Sequence, residues 1–136
     1  MDVVVTVGSD HHPFDRLVRW VDQWAARNPE ASVWVQHGRS QAPEVAQGID
    51  FSPHDEVLER MARADAVVTA GGPGTLMEIR AAGLRPIVVP RRGSLEEHVD
   101  GHQRAFARRV GEQGLATTCE RAEELWAELD AARSDP

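Results

Sequence analysis

Residues 65–83 read Asp-Ala-Val-Val-Thr-Ala-Gly-Gly-Pro-Gly-Thr-Leu-Met-Glu-Ile-Arg-Ala-Ala-Gly. The apolar run at the start of this stretch has the length of a buried strand. Beyond the Gly-Gly-Pro-Gly corner the apolar residues take helical spacing. The stretch is therefore predicted to form a strand, a turn and a helix.

The turn is a candidate anion site, because the glycines at 71, 72 and 74 leave the backbone bare where the helix begins. Glu78 lies on the same helical face as Thr75, and its side chain is predicted to lean back toward the turn. A carboxylate there would repel phosphate but accept hydrogen bonds from sugar hydroxyls. A capping box, in which Thr75 and Glu78 bind only backbone N–H groups, explains the same two residues without a ligand.

Five other apolar runs have the length of strands, and helical patterns separate most of them. The runs are residues 3–7, 32–36, 48–51, 86–90 and 115–119. Six strands joined by helices through short connections predict an α/β fold with a doubly wound, mostly parallel six-stranded sheet of the Rossmann type. The length of 136 residues suits a single domain over residues 1–136.

Local patterns give two further expectations. Ser52 is expected to cap the second helix, with Pro53 at its first position and acids in its first turn. Trp20 and Trp24 lie four residues apart on the first helix and are expected to pack against the core, because aromatic residues so spaced usually bury area.

The composition narrows the class of partner. A net charge of -7 and a pI of about 5.3 argue against nucleic acid. The single Cys119 cannot form an internal disulfide, so a reducing cytoplasm is expected. The N-terminal apolar run is too short for a signal peptide or a membrane span, so direct membrane insertion is not expected.

All six histidines fall in, or just after, the predicted strand-to-helix connections, where open α/β sheets bind their ligands. They are His11, His12, His37, His54, His98 and His102. No two of them have the spacing of metal ligands on one helix or strand. The pattern favours a polar, oxygen-rich ligand over a metal ion.

With these segments in place, the chain resembles the C-terminal domain of glycosyltransferase family 28, the donor-nucleotide half of the GT-B enzymes related to MurG. Four motifs carry the resemblance: Thr6–Ser9 with Pro13–Leu17, then Val35–Gly38, Gly71–Glu78 and His98–Gln103. Similar one-domain proteins are the PssE-like subunits of bacterial exopolysaccharide glycosyltransferases and the small catalytic subunit of the dolichol-linked N-acetylglucosamine transferase.

The resemblance implies a role for each part of the site. The donor diphosphate would be bound by Gly8, Ser9, Gly72, Pro73, Gly74 and Thr75, the ribose by Glu78, the sugar by His102 and Gln103, and the uracil by the region of Ser52, Pro53 and His54. His102 stands where the MurG-like enzymes carry a glutamine, which leaves the donor sugar open.

The implied reaction is an inverting transfer of a hexose or N-acetylhexosamine from a UDP-sugar to a lipid-linked acceptor in polysaccharide synthesis, without a metal or other cofactor. A small membrane-anchored subunit would supply the acceptor site and hold the chain at the inner face of the membrane. Candidates for the partner surface are the His11–His12 loop, Arg91 with Arg92, and Trp126. The general base is unassigned, and His11 or His12 is a candidate.

Two other functions fit parts of the sequence. Nucleoside-monophosphate phosphoribohydrolases share the Gly-Gly-x-Gly-Thr-x-x-Glu string, but residues 30–60 lack the Gly-Leu-Met-Gly segment that those enzymes carry upstream. A non-catalytic nucleotide-binding regulator fits the same glycine turn.

Overall fold

The computed structural model describes residues 1–8, 12–70, 72–91, 109, 112, 114 and 116–134. The strands are β1 (Asp2–Thr6), β2 (Ser32–Gln36), β3 (Gln47–Ile49), β4 (Ala66–Thr69), β5 (Ile87–Val88) and β6 (Thr117–Thr118). The helices are α1 (Asp15–Arg27), α2 (His54–Arg63), α3 (Pro73–Ala81) and α4 (Ala122–Ser134). Among the residues so described, no helix combines the length and the apolar character that crossing a membrane requires.

The six strands form one sheet in the order β3-β2-β1-β4-β5-β6. Every neighbouring pair of strands is parallel. The chain first builds outward from β1 through β2 to β3, and then returns to the other side of β1 with β4. The predicted α/β sheet is confirmed, and its pairing is parallel throughout.

Strand alternation divides the core between the two faces of the sheet. Val3 and Val5 of β1 pack in one cluster with residues of α1 and α4. Val4, between them, packs in a second cluster with residues of α2 and α3. Helices therefore cover both faces, which explains why the strands at the centre of the sheet read as continuous apolar runs.

The contact between α1 and α4 confirms the expectation for the tryptophans. Trp24 is buried and its indole N–H donates to Asp130 over 3.0 Å, while Trp20 is partly buried against the core. Trp126 lies in the same contact, because its indole N–H donates to the Trp20 carbonyl over 2.9 Å and the Arg27 guanidinium lies 4.1 Å from its ring centroid. Packing between α1 and α4 therefore explains the position of Trp126, and a partner protein is not needed to explain it.

Two local expectations are wrong in detail. Pro53, not Ser52, is the residue that precedes α2, and no side chain caps that helix, because the Ser52 hydroxyl donates to Glu56 over 3.2 Å. The third strand begins and ends earlier than residues 48–51, and all three residues of β3 are exposed because it is an edge strand.

Cys119 offers a test of the packing on the α1 and α4 side of the sheet. Burial, together with the nearby carboxylates of Glu128 and Glu124, raises the pKa of its thiol from 9.0 to about 12. The chain contains no Lys and no Tyr, so no other side-chain type titrates between pH 9 and 12. Between about pH 9 and 12 the unfolded chain loses this proton while the folded chain keeps it. The folded state should therefore lose stability as pH rises through this range, by up to about 1.4 kcal/mol per pH unit, with little effect below it.

Urea unfolding at pH 8 to 11 would measure this dependence, with Cys119→Ala as the comparison. The substitution is expected to lower stability by a constant amount and to flatten the slope above pH 9. Equal slopes for the two proteins would show that Cys119 does not cause the alkaline loss.

Candidate functional site

A cavity of about 400 Å³ opens at the carboxyl edge of the sheet, beside β1 and β4, where the strand order changes direction. The ends of β1, β2 and β4 line its floor, and the first turns of α2 and α3 line its walls. Ligands of open α/β sheets bind at this switch point, and the volume is in the usual range for small-molecule sites. The cavity is therefore the candidate site.

The start of α3 presents backbone donors to this cavity. Gly72 precedes the helix, and the first intrahelical bond runs from the Leu76 N–H to the Gly72 carbonyl over 3.1 Å. The N–H groups of Gly74 and Thr75 come before that bond, and the first turn carries no acidic residue. This end of α3 is therefore positive and suited to an anion.

Gly72 and Gly74 are not required by the fold that surrounds them. A Cβ atom added at Gly72 or Gly74 would meet no atom within 4 Å, and the φ of −68° at Gly72 is open to any residue. Gly74 lies within the first helical turn, where glycine costs about 1 kcal/mol relative to alanine. Bare backbone at this point leaves the helix donors accessible from the cavity.

Glu78 faces the same cavity from the next turn of α3. Its carboxylate pairs with the imidazole of His54 at the start of α2, and both side chains are well exposed, at 44% and 62%. No side chain caps α3, and Thr75 is the third residue of the helix rather than its cap. The capping-box interpretation is therefore wrong, and the Glu78 carboxylate lies at the cavity, paired with His54.

The segment before α2 forms the opposite rim. Phe51, Ser52 and His54 line the cavity, and Phe51 exposes half of its surface although it is large and apolar. Pro53 precedes the helix at this rim. The structure thus brings the predicted uracil region to the same cavity as the glycine turn.

Gly8 lines the cavity at the end of β1. Its φ of +85° is a conformation that side chains disfavour, and its N–H donates to the Thr6 hydroxyl over 3.1 Å. Ser9 and His11 follow it in sequence but lie outside the described residues.

Arg91 is not the partner-surface residue that the sequence indicated, because only 2% of it is exposed. Its guanidinium donates to the carbonyls of His12 and Val7, over 2.8 and 3.1 Å, and it also lines the cavity. Arg91 therefore ties the β1–α1 connection to the end of β5. Arg92 lies outside the described residues.

Three polar residues form a row on the cavity floor that was not predicted from the sequence. Thr6, Gln36 and Thr69 end β1, β2 and β4, and they pair directly in the sheet register. The Thr6 hydroxyl donates to the Gln36 side-chain carbonyl, whose amide donates to the Asp50 carbonyl over 2.8 Å. The available signal was that each is a polar residue at or near the end of an apolar run.

The histidine expectation can be followed for three of the six residues. His12, His37 and His54 follow β1, β2 and β3, as predicted, and only His54 lines the cavity. The other expectations, for His98, His102 and Gln103, lie outside the described residues. Within the described part of the chain, no group of three His, Cys, Asp or Glu side chains could hold a metal ion.

Comparison with known proteins adds the family. The chain matches the glycosyltransferase family 28 C-terminal domain over residues 2–136. It is 33% identical over 104 residues to the UDP-N-acetylglucosamine–N-acetylmuramyl-(pentapeptide) pyrophosphoryl-undecaprenol N-acetylglucosamine transferases of Synechococcus elongatus and of a second Synechococcus strain. These matches cover 69% of this chain but only 27% of either relative.

Solved structures agree on the fold. The glycotransferase of kitacinnamycin superimposes with a TM-score of 0.74 at 23% identity, covering 99% of this chain and 35% of that one. MurG of Acinetobacter baumannii gives 0.66 at 19% identity, covering 97% and 41%. The family match spans nearly the whole chain and shows the relationship: the chain belongs to glycosyltransferase family 28 and corresponds to the C-terminal domain of that family.

Proposed function

We propose that this chain binds a UDP-sugar in the cavity between α2 and α3 and presents it for glycosyl transfer. The observation that carries the proposal is that a bare helix N-terminus and a carboxylate one turn further along α3 open onto one cavity. The first suits a diphosphate and the second suits a ribose diol. A nucleoside diphosphate combines both groups at about this separation, since one helical turn rises about 5.4 Å.

We assign the other parts of the donor relative to the diphosphate and the ribose. Gly8 and Ser9 join Gly72–Thr75 at the diphosphate. The uracil lies at the rim formed by residues 51–54, where the Phe51 ring provides apolar area. The sugar points toward His102 and Gln103.

The proposed transfer is inverting and independent of metal. The acceptor hydroxyl oxygen forms a bond to the anomeric carbon while the bond from that carbon to the diphosphate oxygen breaks, and UDP leaves with the electron pair. The N–H groups of Gly74 and Thr75 stabilise the charge that grows on the leaving diphosphate. A general base takes the acceptor proton, and His11 and His12 remain candidates for it on this chain.

We further propose that the chain acts as a PssE-like subunit, cytoplasmic and held at the membrane by a small membrane-anchored partner that binds the lipid-linked acceptor. The Synechococcus relatives are named for a pyrophosphoryl-undecaprenol acceptor, and most of their length lies outside the matched region. A net charge of -7 disfavours direct adsorption to an anionic leaflet. The partner therefore docks beside the cavity, where the His11–His12 loop and Arg92 remain candidates.

A substitution at Gln103 should distinguish binding of the sugar from binding of the nucleotide. Gln103→Ala is expected to weaken UDP-sugar binding or turnover and to leave UDP binding nearly unchanged, because only the sugar hydroxyls lose a hydrogen-bonding partner. Titration calorimetry with UDP and with a series of UDP-sugars would measure both affinities and select the donor sugar. Equal losses for UDP and UDP-sugar would remove Gln103 from the sugar site.

The same reagents test the proposal against its alternatives. Tight UDP binding without sugar transfer under any pairing would indicate a nucleotide-binding regulator. Release of free base from a nucleoside monophosphate would indicate a phosphoribohydrolase.

A further inference from the structure

Thr69 is the last residue of β4 and lies at the floor of the cavity, just before the glycine turn. It has the same strand parity as Val67, which packs on the α2 and α3 face of the sheet. The residue is 0% exposed. Its side chain is thus buried on the side of the sheet where the cavity lies.

The hydroxyl of Thr69 has no hydrogen-bond partner in the part of the chain that the structure describes. Its neighbour in the register, Thr6, differs: that hydroxyl donates to Gln36 and accepts from the Gly8 N–H. A buried hydroxyl without a partner is destabilising, and a valine has the same shape without that cost. The unbound fold therefore gives no reason for threonine rather than valine here.

We propose that Thr69 is a phosphate-binding residue whose hydroxyl donates to a phosphate oxygen of the nucleotide at the N-terminus of α3. This inference rests on the proposed function, because it takes the diphosphate to lie at Gly72–Thr75. A phosphate oxygen only accepts hydrogen bonds, and the unpartnered Thr69 hydroxyl supplies a donor beneath the helix donors.

The contact forms on binding, since the Thr69 oxygen is covered in the unbound structure. In the described part of the chain, a Cβ built on Gly72 or Gly74 would meet no packed neighbour within 4 Å, so tight packing at these two positions does not oppose a small shift of the start of α3. A small shift of the start of α3, or rotation of the Thr69 side chain, brings the oxygen to the cavity surface. The hydrogen bond is then made only in the bound state.

The test is Thr69→Val, which should weaken UDP binding without lowering the stability of the unbound protein. The UDP affinity is expected to fall roughly tenfold, because a hydrogen bond to a charged group is lost. The melting temperature of the unbound protein is expected to stay the same or rise. Uridine, which lacks phosphate, should bind both proteins equally, and Thr69→Ser should retain UDP binding.

Two matched threonines control the experiment. Thr6→Val removes a hydroxyl that has partners and is expected to lower the melting temperature. Thr117→Val, on β6 and outside the cavity, should leave UDP affinity unchanged.

Three results would overturn the assignment of Thr69: unchanged UDP affinity in Thr69→Val, a melting temperature that falls together with affinity, or equal losses for uridine and UDP. If the wild-type chain bound neither UDP nor pyrophosphate, the proposed function and this inference would both be wrong. Wild-type binding of UDP that Thr69→Val retains in full would contradict the inference alone.

Discussion

Replacing Glu78 with alanine should weaken UDP binding roughly tenfold to a hundredfold while the protein stays folded. The affinity falls because the ribose diol loses a charged hydrogen-bond acceptor. The fold loses little, because the pair that Glu78 makes with His54 is exposed on both sides, and such pairs contribute at most about 1 kcal/mol. Calorimetric titration of UDP into both proteins gives the ratio of affinities.

Glu59→Ala is the matched control for this experiment. Glu59 is an exposed carboxylate on α2 that does not line the cavity. Its replacement by alanine changes the net charge by the same amount as Glu78→Ala. We expect its UDP affinity to equal that of the wild type. Unchanged affinity in Glu78→Ala, accompanied by a large loss of stability, would assign Glu78 a structural role instead.

The purified chain should be unable to transfer sugar to a lipid acceptor until it meets its membrane-bound partner. The cavity has walls from α2 and α3 of this chain. In the proposed two-subunit enzyme, a second protein supplies the site for the acceptor. Transfer from a UDP-sugar would be assayed with the chain alone, with membranes that contain a candidate membrane-anchored subunit, and with both together.

Glu78→Ala, added to the same membranes, separates donor binding from complex formation. It should associate with the partner as the wild type does, and yet transfer less sugar at limiting donor concentration. Strong transfer to lipid by the wild-type chain without membranes would refute the two-subunit proposal and indicate a general base within this domain.

The sheet could be predicted from sequence because its central strands are buried on both faces. The valines of β1 and the run at 66–68 contain no polar residue. Such uninterrupted apolar runs are typical of parallel strands that are covered on both faces. The edge strands were less predictable. The residues of β3 are all exposed, so their position depends on pairing with β2 rather than on their own burial.

The residues of the site also differ in how well they could be predicted, according to whether their contacts are local or distant along the chain. The glycine turn and Glu78 could be placed from sequence because they belong to one strand-turn-helix unit. The pairing of Glu78 with His54, 24 residues earlier, could not, because it depends on how α2 and α3 lie across the sheet. Arg91 was misplaced for this reason too, since its carbonyl acceptors lie 78 to 84 positions away along the chain.

The most direct test of the central claim is a crystal structure of this chain with UDP bound. The account predicts the diphosphate against the N–H groups of Gly74 and Thr75, the ribose hydroxyls on the Glu78 carboxylate, and the uracil against residues 51–54. UDP bound anywhere else on the chain, or in this cavity with its ribose turned away from Glu78, would contradict it.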